Sequence, residues 1–292
     1  MRSKTINVFL MDGDPTCKIK CTLQNWTGIA YKIPRTMLED CKEGEKDIVK
    51  HLKQTGIYFL LGEDTNTGDK AIYVGQAVSR KNGEGLLCRL LEHKRNMKEK
   101  YWNDWNEVIV FTTQNDSFGP TEISYLENKF TNLARNAGRY DVKNGNDPNP
   151  GNITEEKESE LLEYVDYARI IIGMLGHKVF EPLVKSNPIT NKVDSPIFYF
   201  KGKLKATGIF TNEGFVVLKG SSINPKLNPS AHKFTIKARE MNKNKIDENY
   251  VLLEDVLFTS PSAAAGFVGG SSLSGNAMWA TNDGKSPKDI EL

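Results

Sequence analysis

Two short apolar runs separated by a polar turn constrain this chain more than any other feature. Gly56-Ile57-Tyr58-Phe59-Leu60-Leu61-Gly62 and Ala71-Ile72-Tyr73-Val74-Gly75 are of strand length and rich in β-branched and aromatic residues. Between them Asp64-Thr65-Asn66-Thr67-Gly68-Asp69 supplies turn chemistry, so the pair reads as a hairpin. The period then changes. Leu86, Leu87, Leu90 and Leu91 mark a helix running from Leu86 to about Lys100, and Glu107-Val108-Ile109-Val110-Phe111-Thr112-Thr113 reads as a third strand. Ile123, Leu126, Phe130, Leu133, Ala134 and Ala137 keep helical spacing behind an expected cap at Thr121, and Gly138 is placed to stop that helix. The order β-β-α-β-α over residues 54–150 predicts a small mixed domain.

The flanks are read from the same signals. Residues 4–11 and 16–34 look like strands, punctuated by Pro15, Gly28 and Pro34. They define a small β-rich unit over residues 1–45, too small to hold a large core alone. It is expected to dock on the central domain, by packing against the sheet or covering the cleft. Pro34 to about Lys53 reads as a charged helical connector, and residues 144–152 as an Asn/Gly/Pro-rich linker. An amphipathic helix from Glu155 to Leu175 makes residues 153–183 a second helical connector, and residues 186–195 a second linker. A C-terminal mixed α/β domain over residues 197–282 carries strand-like segments at 197–200, 203–210 and 215–218. A helix begins there near Ser260 or Ser262, and the residues after Thr281 are expected to be disordered. The class is α/β in the α+β sense.

Composition narrows the partners only loosely. The 292 residues suffice for about two domains, and a hydrophobic fraction of 38% with 26% charged residues describes an ordinary globular chain. A net charge of +2 neither requires nor excludes a polyanion. No apolar run approaches the ~20 residues of a membrane span, and Val8-Phe9-Leu10-Met11 is too short for a signal-peptide core. The reading is therefore cytoplasmic, without a membrane partner. Cys17 and Cys21 lie in an alternating stretch, facing one side of a strand, and Cys41 and Cys88 stand apart. No second Cys/His pair has zinc-site spacing, so reduced thiols are expected.

Glu127 is the most informative single residue. It falls four after Ile123 and three before Phe130, on the apolar stripe of its own helix. A carboxylate there is costly unless a cation compensates it, either an arginine or a metal ion. Arg89 and His93, four apart, share one side of their helix beside its leucine stripe, where a cleft can form. Tyr58 and Tyr73 taken singly are ordinary strand tyrosines, while Gly75 ends its strand where a ligand could approach the backbone.

Taken together these residues resemble a known family. Gly56-Ile57-Tyr58 followed by Tyr73-Val74-Gly75 resembles the name-giving motif of the GIY-YIG nucleases, with valine in place of one isoleucine, a volume-conserving change. The family places an arginine and a histidine on the next helix and a metal-binding glutamate on a later one, which Arg89, His93 and Glu127 match in order and approximate spacing. The β-β-α-β-α order, with its three-stranded antiparallel sheet, is that fold's. The regions from Ile6 to Arg35 and from Gly138 to Pro182 resemble a bacterial subgroup. The segments Gly214–Ser221 and Ser260–Ala265 resemble an uncharacterised domain that often accompanies it.

The resemblance implies a phosphodiester-hydrolysing endonuclease acting on DNA, with RNA a second candidate target. One Mg²⁺ (or Mn²⁺) held by Glu127 would stabilise the leaving oxygen and Arg89 the phosphoryl charge. Tyr58 and Tyr73 are the candidates for handling the attacking water. Tyr73 is favoured for hydrogen bonding to it with help from His93, Tyr58 orienting it. An asparagine near the domain's end is also implied, for which Asn144 and Asn146 both qualify and Asn144 is taken. Gly75, Lys94 and Arg95 are the candidate substrate contacts, with Lys98 and Lys100 extending the basic flank. Residues 199–245 contain ten Lys/Arg against two Asp/Glu, so the C-terminal domain is a candidate DNA grip. Restriction or anti-phage defence is the expected setting, with a homodimer or a protein partner in such a system. The alternative is a non-catalytic nucleic-acid-binding or assembly module that keeps the fold.

Overall fold

The computed structural model describes residues 3–79, 85–95, 102–184 and 195–290. Lys98, Lys100 and most of the linker at 186–195 lie outside the described residues. The chain divides into two compact units, Met1–Pro182 and Leu183–Leu292, and is of mixed α/β class. Among the described residues no helix is long and apolar enough to cross a membrane.

The first unit runs β1 (Ile6–Leu10), β2 (Ile19–Leu23), β3 (Gly28–Pro34), α1 (Lys46–His51), β4 (Gly56–Glu63), β5 (Lys70–Ala77), α2 (Leu86–Arg95), β6 (Trp105–Thr113), α3 (Pro120–Ala137), β7 (Asp141–Val142) and α4 (Glu155–Met174). Its strands make one seven-stranded sheet in the order β1-β2-β3-β6-β4-β5-β7. The three expected antiparallel strands, β6-β4-β5, are there, but only as the middle of that larger sheet. β3 pairs with β6 from Gly28↔Thr113 to Pro34↔Glu107, so the N-terminal strands extend the central sheet instead of forming a separate layer.

β4 is buried from Gly56 to Leu61 because both faces of the sheet are covered. Ile57, Phe59 and Leu61 face a core shared with Leu126 and Phe130 of α3 and Val165 and Ile172 of α4. Phe59 meets Phe130 and Phe180 edge-on, with ring centroids 5.0 and 5.6 Å apart. Tyr58 and Leu60 face the opposite core, with Ile48 of α1 and Leu86, Leu90 and Leu91 of α2. Each such side chain contributes roughly 1.5–3 kcal/mol by leaving water.

Two details differ from the sequence reading. α3 starts before Thr121, because Pro120 is preset for the first helical position and the Gly119 N–H donates to Glu122 Oε2 at 3.1 Å. Gly138 does end this helix, at φ 61°. Cys17 sits in a turn before β2 and so does not share a strand with Cys21. All four cysteines are free thiols, and burial pushes Cys21 and Cys41 up to about 11.

The second unit runs β8 (Ile197–Phe200), β9 (Thr207–Thr211), β10 (Gly214–Val217), α5 (Lys233–Met241), β11 (Val256–Phe258), α6 (Pro261–Gly269), α7 (Gly275–Met278), β12 (Trp279–Ala280) and α8 (Pro287–Ile290). Its antiparallel sheet, ordered β11-β10-β9-β8-β12, packs with α6 around Phe198, Phe215, Phe267 and Trp279. Ser260 caps α6 by accepting from the Ala263 N–H at 3.2 Å. The residues after Thr281, expected to be disordered, are ordered: the Thr281 N–H donates to the Lys285 carbonyl at 2.9 Å, and α8 follows.

Candidate active site

β5 sits one strand from the edge only over Ala71 and Ile72, where β7 pairs with it in parallel. The next outward position, Val74, is covered by a side chain. Its N–H donates to Asn144 Oδ1 at 3.0 Å, and its carbonyl accepts from Asn144 Nδ2 at 2.7 Å. Asn144 thus imitates one further residue of strand with its amide. Among the described residues no strand pairs with β5 on this side beyond Ile72, which leaves Gly75 to Ala77 at the sheet's edge.

The two faces of β5 converge there. Tyr58 and Tyr73 stand on the α2 face with ring centroids 6.4 Å apart. The fully buried Tyr58 hydroxyl lies 2.8 Å from His93 Nε2, and the Arg89 guanidinium also hydrogen-bonds it. The His93 ring is 5.3 Å from Tyr73. Gln76, one residue after Gly75, points to the other face. There its Nε2 donates to Glu127 Oε2 at 2.8 Å and to Ser124 Oγ at 3.3 Å. Charge coupling of Glu127 with both Arg89 and Tyr58 places the carboxylate and the α2 groups around one edge.

Gly75 lies in register opposite Tyr58. A Cβ on it would stand 2.3 Å from Tyr58 Cζ, so what approaches this backbone is the tyrosine ring, not a substrate. Glycine here lets Tyr58 lie flat across the strand and reach His93.

The electrostatics follow from burial. Burial, with the Tyr73 phenol nearby, pushes Tyr58 well above its ordinary value against the opposing pull of Arg89. Burial first and Arg89 second bring His93 down to about 4, so it is a neutral acceptor at pH 7. Glu127 is raised by burial, with Gln76 and Arg89 opposing. Arg89 also bonds Glu92 Oε2 at 2.8 Å across one turn of α2.

The remaining expected contacts sort differently. Lys94 and Arg95 face Glu39, whose carboxyl they help to hold below its usual range behind the larger effect of Lys42. Arg95 stands 3.9 Å from that carboxylate. In the second unit Arg239 is no part of a basic surface. Its guanidinium binds the carbonyls of Phe267 and Val268 at the end of α6, and burial pulls it down to about 10. Gln76 and Ser124 were missed by the sequence reading. The findable signals were the alternation that sets Gln76 opposite Gly75 and the three-residue spacing of Ser124 from Glu127 on one helix face.

A divalent cation fits the Glu127 corner. The carboxylate is half-buried and raised by desolvation, and its hydrogen-bond partner is a neutral amide. Among the described residues no group of three or more His, Cys, Asp or Glu could hold a metal. The donor set therefore suits an ion that keeps most of its waters, Mg²⁺ or Mn²⁺, over zinc.

A family model described as Domain of unknown function (DUF4357) matches residues 197–291. No curated protein matches the chain, and no solved structure does.

Proposed function

We propose that the first unit is a metal-dependent endonuclease of GIY-YIG type, hydrolysing phosphodiester bonds of DNA at the β5 edge. The observation that carries this reading is the convergence of Tyr58, Tyr73, Arg89 and His93 from one face with Glu127 from the other. The resemblance of Gly56-Ile57-Tyr58 and Tyr73-Val74-Gly75 to the family motif supports it independently.

The chain's own groups divide the labour. Arg89, 39% exposed in its side chain, is available to a phosphoryl oxygen while still bonded to Tyr58. Tyr73 is the more exposed phenol and meets the attacking water. Tyr58 is too strongly held neutral to serve as a free base, so it acts as a conduit to the neutral His93 Nε2. This assigns the direct histidine link to Tyr58, whereas the sequence alone gives His93's help to Tyr73. Glu127, oriented by Gln76, would hold Mg²⁺ or Mn²⁺, which when bound supplies Lewis-acid stabilisation of the departing oxygen.

The test is cleavage of supercoiled plasmid by wild type and Glu127→Ala, each with Mg²⁺ and with EDTA. The expected result is Mg²⁺-dependent nicking or linearisation by wild type and a loss of at least about a thousandfold in the variant. Equal cutting by both proteins, or none by either on duplex, single-stranded DNA and RNA, contradicts the assignment. The second outcome favours a non-catalytic binding module.

A further inference from the structure

A cleft of about 840 Å³ opens beside α1. Four lysines, Lys42, Lys46, Lys50 and Lys53, line it against two carboxylates, Glu43 and Asp116. Lys46, Lys50 and Lys53 are exposed, and none forms an ion pair with a described residue. The acids of the same segment are drawn elsewhere. Asp47 bonds Lys20 of β2 at 2.9 Å, and Glu39 is held by Lys42 and Arg95.

The arrangement works against the local helix. Lys46 and Lys50 are like charges four apart, which destabilises a helix, and Lys46 occupies the first turn, where the macrodipole favours an acid. Helix stability therefore does not account for these lysines. A polyanion in the cleft offsets their repulsion.

The cleft also lies at the catalytic end of the sheet. Gln54 and Ser79 are in its wall, and the Ser79 N–H donates to Thr55 Oγ1 at 2.9 Å. Gly56 follows and pairs with Ala77, two residues along the ladder from the Tyr58↔Gly75 pair, or about 7 Å. The start of α2 is fastened to the same wall: Leu86 N–H donates to the Gln54 carbonyl at 3.3 Å and Leu87 N–H to the Leu52 carbonyl at 2.8 Å. Arg89 comes one helical turn later. A backbone with ~3.4 Å of axial rise per nucleotide reaches from Arg89 to these lysines within a few phosphates.

We propose that this lysine-lined cleft is the track for a nucleic-acid backbone, holding the phosphates that flank the one presented to Arg89 and the tyrosines. The inference rests on the nuclease reading of the neighbouring site and adds where its substrate runs.

The experiment measures binding of a fluorescein-labelled DNA duplex by full-length Glu127→Ala protein in EDTA, across a salt series. The same chain also carrying Lys46→Gln, Lys50→Gln and Lys53→Gln is compared with it, after circular dichroism has matched their folds. The triple substitution should weaken binding at least tenfold at about 0.1 M salt. It should also flatten the slope of log K against log salt by two to three, at ~0.9 per lost phosphate contact. Unchanged affinity and slope, or no nucleic-acid binding by either protein, overturns the cleft. Plasmid cutting by the wild-type chain reads the two ideas separately. Mg²⁺-dependent cutting with lysine-independent binding keeps the nuclease and removes the track, whereas lysine-dependent binding without any cutting keeps the track and removes the nuclease.

Discussion

The first unit contains two buried tyrosine–histidine pairs on one face of one sheet, and they differ in everything except their bond. Tyr58 is 2.8 Å from His93 Nε2, and Tyr31 is 2.8 Å from His51 Nδ1. They share a row: Tyr31 pairs across β3 and β6 with Val110, which pairs with Tyr58 across β6 and β4. Both tyrosines are raised by burial, and both histidines are lowered by it. Yet Tyr31 and His51 sit among Ile48, Leu52 and the sheet interior, with the Asp47 and Glu45 charges as the named influences on the phenol. Tyr58 and His93 adjoin Arg89, Tyr73 and the Glu127 corner at the β5 edge. A tyrosine–histidine hydrogen bond is thus a packing device in one place and a candidate proton path in the other. The cation beside it and the edge beyond it make the difference.

That contrast can be broken from its active half. Arg89→Ala removes the group that Tyr31 lacks, and cleavage should fall by about a hundred- to a thousandfold in kcat/KM. Its unfolding free energy should stay within about 0.5 kcal/mol of wild type, since the Arg89–Glu92 pair is solvent-exposed. Loss of stability equal to the loss of activity would make Arg89 a structural residue.

Titration gives the next largest effect. His93 is neutral in the folded chain down to about pH 4, whereas in the unfolded chain it protonates near 6.5. The unfolded state therefore binds the extra proton first, and stability is lost as pH falls from about 6.5 to 4. The loss is roughly 3 kcal/mol at 1.36 kcal/mol per unit. Urea unfolding at pH 7 and pH 4.5 should show this drop shrinking in His93→Gln, with the smaller contribution of His51, lowered by the same cause, left in place. An unchanged pH dependence in that variant contradicts the buried, neutral His93.

Gln76→Ala should reduce cleavage about tenfold and raise the Mg²⁺ concentration for half-maximal activity, because Glu127 loses its orienting donor. Smallest is Asn144→Ala. It should cost about 1–2 kcal/mol of stability and speed hydrogen exchange at the Val74 amide, its side chain being bonded on both sides of Val74.

Local pattern carries the middle of the molecule well. Strand length and alternation locate β4 and β5, leucine spacing locates α2, and Glu127 is marked by lying on an apolar stripe. What escapes is non-local. Nothing in residues 28–34 announces that they pair with 107–113, since a strand's partner is not written in its own alternation. The family resemblance makes Asn144 a catalytic candidate, but its bonds serve the Val74 backbone, a role visible only once β7 is docked. Gly75 reads as room for a ligand because the sequence cannot show that Tyr58 fills that space. The lysines of the α1 cleft are mixed in sequence with as many acids, and only the fold sorts them to one wall.

The most direct measurement is plasmid cleavage by the matched variants Tyr58→Phe and Tyr31→Phe, with unfolding free energies taken on the same preparations. Each deletes one hydroxyl from a buried histidine and should cost about 1–3 kcal/mol of stability. Tyr58→Phe should lose at least about a hundredfold in cleavage, while Tyr31→Phe, assayed where it is folded, should stay within about threefold of wild type. Equal cleavage losses in the two variants would make both pairs structural and contradict the placement of the site at the β5 edge.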